Sequence, residues 1–348
     1  MLFGIPALLV VGASWCLVGV VYGRAPKEGI DTKLVQLCSA LVSVTCSITI
    51  ALFFVRPDFS ACPKHVMFLA LTSYFFSGIF NYAGVQAMAE GMKYGPNGAV
   101  WGIMQSALVF PFLVGIFFFG EPLTIFRGTG LMCLVVALIF FAKAKNAKAG
   151  TNANYSPKWR YFALLSLAVI SVQQNLSTIP SYFEEARQVS PVLRAMAGVS
   201  GSLIASAVRL GIVGFKDKNE LKNVFSGLKN WHLYLYVFGM QFFSLIFAYT
   251  LFYPGMDAMG KAGAASICYP MMVGSCIVSF TLYAIFGLKE KMTVTQAIAL
   301  AFCAIGLAGL CFPKEMGNFF LTAPVMEFAQ ESGSAIGAKL SALYHSVF

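Results

Sequence analysis

Ten hydrophobic segments, each about as long as a membrane-spanning helix, fill most of this 348-residue chain. A helix needs about 20 predominantly apolar residues to cross the hydrocarbon core of a bilayer. The alternation of apolar and polar residues that is typical of barrel strands is absent, so helices are the only spanning structure left. The sequence therefore predicts an all-α polytopic membrane protein with about ten transmembrane helices. The segments are 3–22, 34–55, 65–89, 96–119, 122–142, 159–180, 190–214, 231–254, 262–286 and 292–312.

The composition and the positions of the basic residues support this prediction and indicate an orientation. Only 11% of the residues are charged, whereas a soluble domain carries about 25%. The net charge of +10 would suggest a nucleic-acid partner for a soluble protein, but here the bases lie in short loops. Loops after odd-numbered segments, with their flanks, hold 16 of the 24 Lys and Arg residues. The positive-inside rule then predicts an integral protein of the plasma (inner) membrane, with the basic linker 143–158 in the cytoplasm and both termini outside.

One stretch of the chain occurs twice in altered form. The sequence of Phe75–Met92 returns at Phe242–Met259, at a constant shift of 167 positions. Shared Phe and Ile residues mean little between apolar segments, but a shared order of hydroxyl, phenol and carboxylate groups means more. The polar pairs are Ser77 with Ser244, Tyr82 with Tyr249 and Glu90 with Asp257. This repeat indicates a duplicated chain.

A second match extends the repeat to the last helix of each half. Glu121 and Thr124 correspond to Glu290 and Thr293, at a shift of 169. Each half then contains five helices, and an odd number forces the second half to be inverted relative to the first. The predicted units are a first five-helix repeat at 1–142, the linker at 143–158, a second five-helix repeat at 159–312 and a C-terminal tail at 313–348.

Two amphipathic segments lie outside the ten predicted helices. In the segment 216–230, one apolar helical face is surrounded by lysines, which is typical of a helix on the membrane surface. That face consists of Leu221, Val224, Phe225 and Leu228. The tail after Pro313 has a similar pattern, for which an interfacial helix and a frayed end are the two alternatives.

The five-plus-five arrangement and the paired Glu-x-x-Thr junctions resemble the drug/metabolite transporter superfamily, in its EamA-like form, over residues 1 to about 312. Some details are more similar to the branch of rhamnose and glucose uptake permeases. They are Pro6–Leu8, Gly12–Trp15, Ser77–Gly78, Gly84–Gln86, Gly91–Met92 and Met104–Gln105. The resemblance implies a secondary transporter for a small polar organic solute. A sugar or related metabolite is favoured, and export of amino acids, nucleosides or drugs is the alternative. The family has no invariant ligand set to carry over.

Polar side chains at the depth of a bilayer need a partner or a wet cavity. Residues four apart share one face of a helix, and two such polar stripes occupy corresponding positions of the repeat. The stripes are Tyr82, Gln86 and Glu90 in the third helix and Tyr249, Tyr253 and Asp257 in the eighth. Because amides and phenols suit a neutral polyol, we expect the stripes to line a solute path. The alternative is hydrogen bonding between helices, which polar residues supply in any bundle.

Further candidates for substrate binding lie in the first, fourth, sixth and ninth helices. They are Trp15, Gln105, Gln173, Gln174, Asn175 and Tyr269. Successive residues of a helix differ by about 100°, so the three consecutive amides cannot all face one cavity. One or two of them are expected to do so.

Glu90 and Asp257 are the candidates for coupling or gating. As repeat partners in an inverted arrangement they would lie on opposite sides of the membrane. A carboxylate drawn into an apolar site has a raised pKa and can exchange protons. The alternative is that both are solvated acids at helix ends, with Lys93 and Lys261 as partners.

Motifs for other classes of protein are missing from the sequence. The nine cysteines include no C-x-x-C pair and the three histidines stand alone, so we expect no metal, and we predict no cofactor. The phosphate-binding motif G-x-x-x-x-G-K-[ST] does not occur. An enzyme is not expected, because clustered acids or histidines at helix ends are lacking. A non-transporting membrane receptor or assembly factor remains the alternative from another class. The predicted partners are the solute and the lipid bilayer, with no nucleic acid and no assigned oligomeric state.

Overall fold

The computed structural model describes residues 2–148, 155–287, 289 and 292–313, and every regular element in them is helical. Ten helices in these residues are long and apolar enough to cross a membrane. They are α1 Gly4–Glu28, α2 Thr32–Val55, α3 Lys64–Tyr94, α4 Gly98–Phe119, α5 Ile125–Lys143, α6 Lys158–Tyr182, α7 Pro191–Lys216, α8 Trp231–Lys261, α9 Ala265–Gly287 and α10 Val294–Cys311. The predicted all-helical class and the number of long apolar helices are confirmed, and they fit an integral membrane protein.

The end of α8 differs from the prediction for a local reason. The sequence predicts an end at residue 254, but the helix continues to Lys261. Pro254 is the second residue of the regular helix Tyr253–Lys261, where its missing N–H costs no hydrogen bond. A π-helical turn at Ala248–Phe252 precedes it and absorbs the interruption. Asp257 therefore lies within α8.

Other helices also change conformation part-way, among them α1, α4 and α9. The first helix is interrupted at Trp15, which the sequence does not predict. In α4 a 3₁₀ turn at Ser106–Leu108 lies just before Pro111, as expected for a proline inside a helix. In α9, Pro270 lies in the first turn of the regular helix that begins at Cys268, where a proline is tolerated.

Large apolar side chains cover the outer surface of the bundle. Phe53, Phe54 and Phe68 are 74%, 78% and 69% exposed, and many Leu, Ile and Val side chains beside them are also open. Soluble monomers rarely expose contiguous apolar surface of this extent. The surface is what a protein in contact with lipid requires.

The principal helix pairs follow a regular pattern. The third helix packs on α6 and α7, α4 on α5 and α6, α2 on α7 and α8, α1 on α8 and α9, and α10 on α5 and α9. This set of pairs is unchanged when every helix is exchanged with the helix five positions away. The fourth and sixth helices, for example, become α9 and α1, which also pack together.

The third and seventh helices approach to backbone contact. A Cβ atom added to Gly78 would lie 1.8 Å from the carbonyl oxygen of Gly198, and one added to Gly201 would lie 2.0 Å from that of Phe75. Ser202 Oγ donates a hydrogen bond to the carbonyl oxygen of Gly78 at 2.9 Å. Small residues permit such a close crossing of helices.

The predicted surface segment contains a helix at Lys218–Ser226. Its apolar face lies partly against the protein, because Val224 is buried in a cluster with Ile30 and Leu34, while Leu228 is 40% exposed. Residues 149–154 of the predicted linker, Glu290 of the second junction and the tail from residue 314 lie outside the described residues.

We expect Gly78→Ala to destabilise the protein by about 1–3 kcal/mol or more, because the added methyl group must push two backbones apart. Gly211→Ala is the matched control, since nothing lies within 4 Å of a Cβ atom at Gly211 in α7. That change should be neutral or stabilise the protein by up to about 1 kcal/mol, because alanine favours a helix over glycine. Thermal unfolding in detergent measures both, and equal melting temperatures would contradict the close crossing.

Candidate functional site

A cavity of about 480 Å³ lies among eight of the ten helices, α1–α4 and α6–α9. Its volume is within the range of about 300–1,000 Å³ that is usual for small-molecule sites. Its lining residues include no Asp, Glu, Lys, Arg or His. The lining amides are Gln36, Asn81, Gln105, Gln173, Gln174 and Gln241. The cavity therefore offers many hydrogen-bond donors and acceptors without a charge.

Seven of the ten predicted substrate-binding residues line this cavity. They are Trp15, Tyr82, Gln105, Gln173, Gln174, Tyr253 and Tyr269. They come from six helices, so residues that are distant in sequence are brought together at one place. Two of the three consecutive amides of α6 face the cavity, as the helical geometry predicts.

The other three predicted residues do not line the cavity. Gln86 donates from Nε2 to Oε1 of Gln36, Tyr249 bonds to Ser47 with 2.6 Å between the hydroxyl oxygens, and Asn175 donates to a carbonyl oxygen one turn earlier in α6 at 2.8 Å. These side chains hold helices or their own backbone, which is the alternative role for polar residues in a bundle. Because Gln36 itself lines the cavity, this hydrogen bond from Gln86 orients the amide of a lining residue.

The amide of Gln173 is held in one position by a hydrogen-bond network. Its Nε2 lies 3.2 Å from the hydroxyl oxygen of Tyr269 and 3.4 Å from Oγ of Ser77. Ser77 Oγ also bonds to the carbonyl oxygen of Gln173 at 3.1 Å, and Tyr269 shares a second hydrogen bond with Ser177. The Trp15 and Tyr269 rings are adjacent, with centroids 6.0 Å apart.

Several polar cavity residues are absent from the predicted set, among them four whose large side chains carry an amide or a phenol. Tyr74 and Asn81 lie on α3, Gln36 lies on α2 and Gln241 lies on α8. The two glutamines are lone amides in long apolar segments, and a polar group at such depth is a signal of function. Gln241 accepts a hydrogen bond from Ser43, which joins α8 to α2 at the cavity wall.

An ion pair lies beside the lining residue Tyr253. The Arg194 side chain is fully buried, and its Nη1 lies 2.8 Å from Oδ1 of Asp257. Its Nε donates to the carbonyl oxygen of Val189 at 2.7 Å, and its Nη2 donates to that of Arg187. The guanidinium carbon lies 5.9 Å from the centroid of the Tyr253 ring. This cluster lies at one end of the bundle, which we call the Arg194 end.

The partner of Asp257 differs from the prediction. Lys261 was the partner under the alternative of a solvated acid at a helix end, but its side chain is exposed. The partner is instead Arg194, at the start of α7. The reason is the continuation of α8 beyond Pro254, which keeps the acid inside the bundle instead of in a loop. A partner 63 positions away in the chain leaves no local signal in the sequence.

Loops from both halves meet at the Arg194 end. Glu121, between α4 and α5, accepts a hydrogen bond at 3.0 Å from the backbone N–H of Ser266, at the start of α9. The Phe119 ring stacks on Tyr182 with 3.8 Å between centroids. These contacts join α4, α6 and α9 at this end of the bundle.

A second cavity lies at the opposite end of the bundle. Its volume is about 520 Å³, and Tyr22, Met88 and Met92 line both cavities. Its lining includes Lys27, Asp31, Lys93 and Glu220. We call this the Lys33 end, because Lys33 joins α2 to the surface helix through Glu220, with 3.0 Å between nitrogen and oxygen.

Glu90 lies at the Lys33 end, in an ion pair with Lys93 at 2.7 Å. This pair within one helix turn is the second of the two predicted alternatives for Glu90. The two repeat partners thus differ in environment, because Asp257 is held by a fully buried guanidinium and the Lys93 side chain is 56% exposed.

No family model and no curated protein matches the sequence. A solved structure described as "Crystal structure of protein" is similar to this chain, with a TM-score of 0.62 and 14% sequence identity. The match covers 89% of this chain and 98% of the other. At this identity the likeness concerns the fold alone. Among the described residues, no group of three or more His, Cys, Asp or Glu side chains is placed to hold a metal.

We expect Asp257→Asn to destabilise the protein by about 3 kcal/mol, because it leaves the buried Arg194 guanidinium without a counter-charge. Glu90→Gln is the matched control, because it removes the same charge from a partly exposed pair, for which the expected loss is about 0–1 kcal/mol. Unfolding by heat or denaturant in detergent measures both. If the Glu90→Gln control has the same melting temperature as the Asp257 variant, the buried ion pair contributes no more to stability than the exposed one.

Proposed function

We propose that this protein is a secondary transporter that moves a small uncharged polar solute across a membrane by alternating access. The observation that carries the proposal is the cavity of amide, hydroxyl and aromatic side chains, whose lining has no charged residue. A sugar or a related metabolite fits this lining best, since hydroxyl groups both donate and accept hydrogen bonds. The lining offers no counter-charge for the ammonium and carboxylate of an amino acid.

The pattern of helix contacts supports two inverted halves of five helices. Exchange of each helix with the one five positions away returns the same principal pairs, as a two-fold relation between the halves requires. The odd number of helices in each half supports the inversion, because the second half then begins on the opposite side of the membrane from the first.

The difference between the two ends supports alternating access. Buried contacts such as the Arg194–Asp257 ion pair and the stacked Phe119 and Tyr182 rings fill the Arg194 end, whereas a second cavity adjoins the first at the Lys33 end. We take the Arg194 end as the closed one. The last linker residues lie at the Lys33 end, where the N–H of Ser156 donates to the carbonyl oxygen of Tyr94 at 3.1 Å. With the positive-inside orientation, this state opens to the cytoplasm and is closed to the outside.

We assign Asp257 and Glu90 to gating in this scheme. Each lies at one end of the cavity in an ion pair, and neither lines the 480 Å³ cavity itself. Breaking the Arg194–Asp257 pair is then part of opening the outer gate. Proton coupling is the alternative role, and it requires that uptake by the Asp257→Asn and Glu90→Gln variants loses its dependence on pH.

The first test is flux into proteoliposomes with labelled D-glucose, L-rhamnose, adenosine and L-alanine. We expect saturable uptake of a sugar, and we expect Tyr82→Leu to reduce it severalfold because a buried lining phenol is lost. Tyr161→Leu is the matched control, since that side chain is on the outer surface and 66% exposed. Equal loss in both variants would remove Tyr82 from the pathway. An absence of flux for every solute class would favour the non-transporting receptor.

A second test uses the native Cys16, which lines the cavity and is partly exposed. We expect a membrane-impermeant thiol reagent to label Cys16 when it is applied from the face that carries the linker and to label it much more slowly from the other face. Oriented vesicles with Cys16→Ser as the background control give this comparison. Equal labelling from both faces would contradict a cavity that is closed at one end.

A further inference from the structure

We infer that the solute is a hydroxylated ring and that Gln173 is its deep anchor, with the Trp15 ring beside it. This inference rests on the proposed transport function and specifies its substrate. It depends on the free hydrogen-bonding capacity of the cavity wall and on the position of that wall along the bundle.

The Gln173 side chain has one bonded end and one free end. Its Nε2 is held by Tyr269 and Ser77, while none of the hydrogen bonds among the described residues is accepted by its Oε1. The residue is half-buried and lines the cavity. An amide that is fixed at one end presents its other atom in a defined direction, which is the arrangement that gives specificity at small-molecule sites.

Buried polar atoms around the same cavity also lack partners. Oε1 of Gln174, the hydroxyl of Tyr82 and Oγ of Ser39 are buried and make no hydrogen bond, and all three residues line the cavity. Gln174 is 2% exposed, and the other two are each 6% exposed. A polar atom in this condition costs about 1–3 kcal/mol. Each of these atoms is itself shielded from solvent, so a solute hydroxyl becomes its partner only when the side chain turns toward the cavity.

The depth of these atoms is fixed by the contact between α3 and α6. Ser77 lies opposite Gln173, whereas Ser166 bonds to Gly84 nearer the Lys33 end. Gln173 is therefore at the level of residue 77, and Tyr82 lies five residues, or about 7–8 Å, nearer the mouth. A solute that bonds to Gln173 thus lies deep in the cavity, and Tyr82 contacts it from the mouth side or meets it on entry.

The aromatic pair adds a preference for ring shape. The Trp15 and Tyr269 rings are tilted by 41° at 6.0 Å, and both residues line the cavity next to Gln173. A sugar ring or a cyclic polyol has an apolar C–H face that an aromatic ring can cover, while its equatorial hydroxyls reach the amide. A linear polyol offers the same hydroxyls without a fixed face, and it loses more conformational freedom on binding.

The test is binding to the purified full-length protein in detergent, measured by calorimetry and by thermal shift. The probes are D-glucose, L-rhamnose and myo-inositol as rings, with D-sorbitol as the linear counterpart. We expect at least one ring to bind more tightly than sorbitol. We expect Gln173→Met to weaken that binding about three- to tenfold, the effect of one net hydrogen bond. Asn175→Met is the matched control, because Asn175 is an amide of the same helix whose side chain does not line the cavity. The affinity of this variant for the ring should equal that of the native protein.

Each outcome decides between parts of the inference. Equal affinity for sorbitol and for every ring overturns the ring preference, and native affinity in Gln173→Met overturns the anchor. If Gln173→Met does not yield folded protein, Trp15→Leu takes its place, and it should reduce ring binding to the level of sorbitol. If none of the four probes binds the native protein, the hydroxylated substrate is wrong, and flux of adenosine or L-alanine into proteoliposomes then decides separately whether transport stands.

Discussion

Polar side chains between apolar helices must find partners, and this requirement shapes the interior of the bundle. The partners come largely from other helices. Gln86 on α3 bonds to Gln36 on α2, and Ser43 on α2 bonds to Gln241 on α8. Such bonds tie the helices of both halves around one space. The cavity wall therefore combines amides that are paired, such as Gln36 and Gln241, with atoms that are not, such as Oε1 of Gln174.

Charge is distributed in the opposite way to amides and hydroxyls. Lys27, Asp31 and Glu220 line the second cavity at the Lys33 end, and Arg194 and Asp257 lie at the other end. The 480 Å³ cavity between them has an uncharged lining. A charged solute would pay a desolvation cost in that space with no fixed counter-charge to offset it. An uncharged solute exchanges hydrogen bonds to water for hydrogen bonds to amides, which is close to neutral in free energy. The cavity thus disfavours a charged solute because its lining offers no counter-charge, and the ion pairs lie at its two ends.

The sequence was sufficient for the features that depend on local patterns. Segment length and hydropathy predicted ten long helices, and polar residues inside apolar segments predicted seven residues of the cavity wall. The features that failed depend on distant contacts. Nothing near Asp257 indicates Arg194, since the two meet only when α7 and α8 pack. Likewise Gln86 is indistinguishable from a lining residue until Gln36 is seen to occupy its amide. The predicted C-terminal end of α8 was wrong because Pro254 was taken as a helix end. A preceding π-helical turn accommodates this proline.

Under the proposed repeat, the two ends of the cavity need not behave alike. The contact of α3 with α7 corresponds to that of α8 with α2 when helices are exchanged by five. Gly78 permits backbone contact in the first pair, but the 167-residue shift places Leu245 at the corresponding position of the second. Side-chain hydrogen bonds such as Ser43 to Gln241 join α2 and α8 instead. A leucine cannot be compressed to the distance that a glycine allows. In the proposed cycle, closure at the Lys33 end must therefore use a looser crossing than closure at the Arg194 end. This difference favours the state in which the Arg194 end is sealed, and a solute would have to bind the other state more tightly to populate it equally.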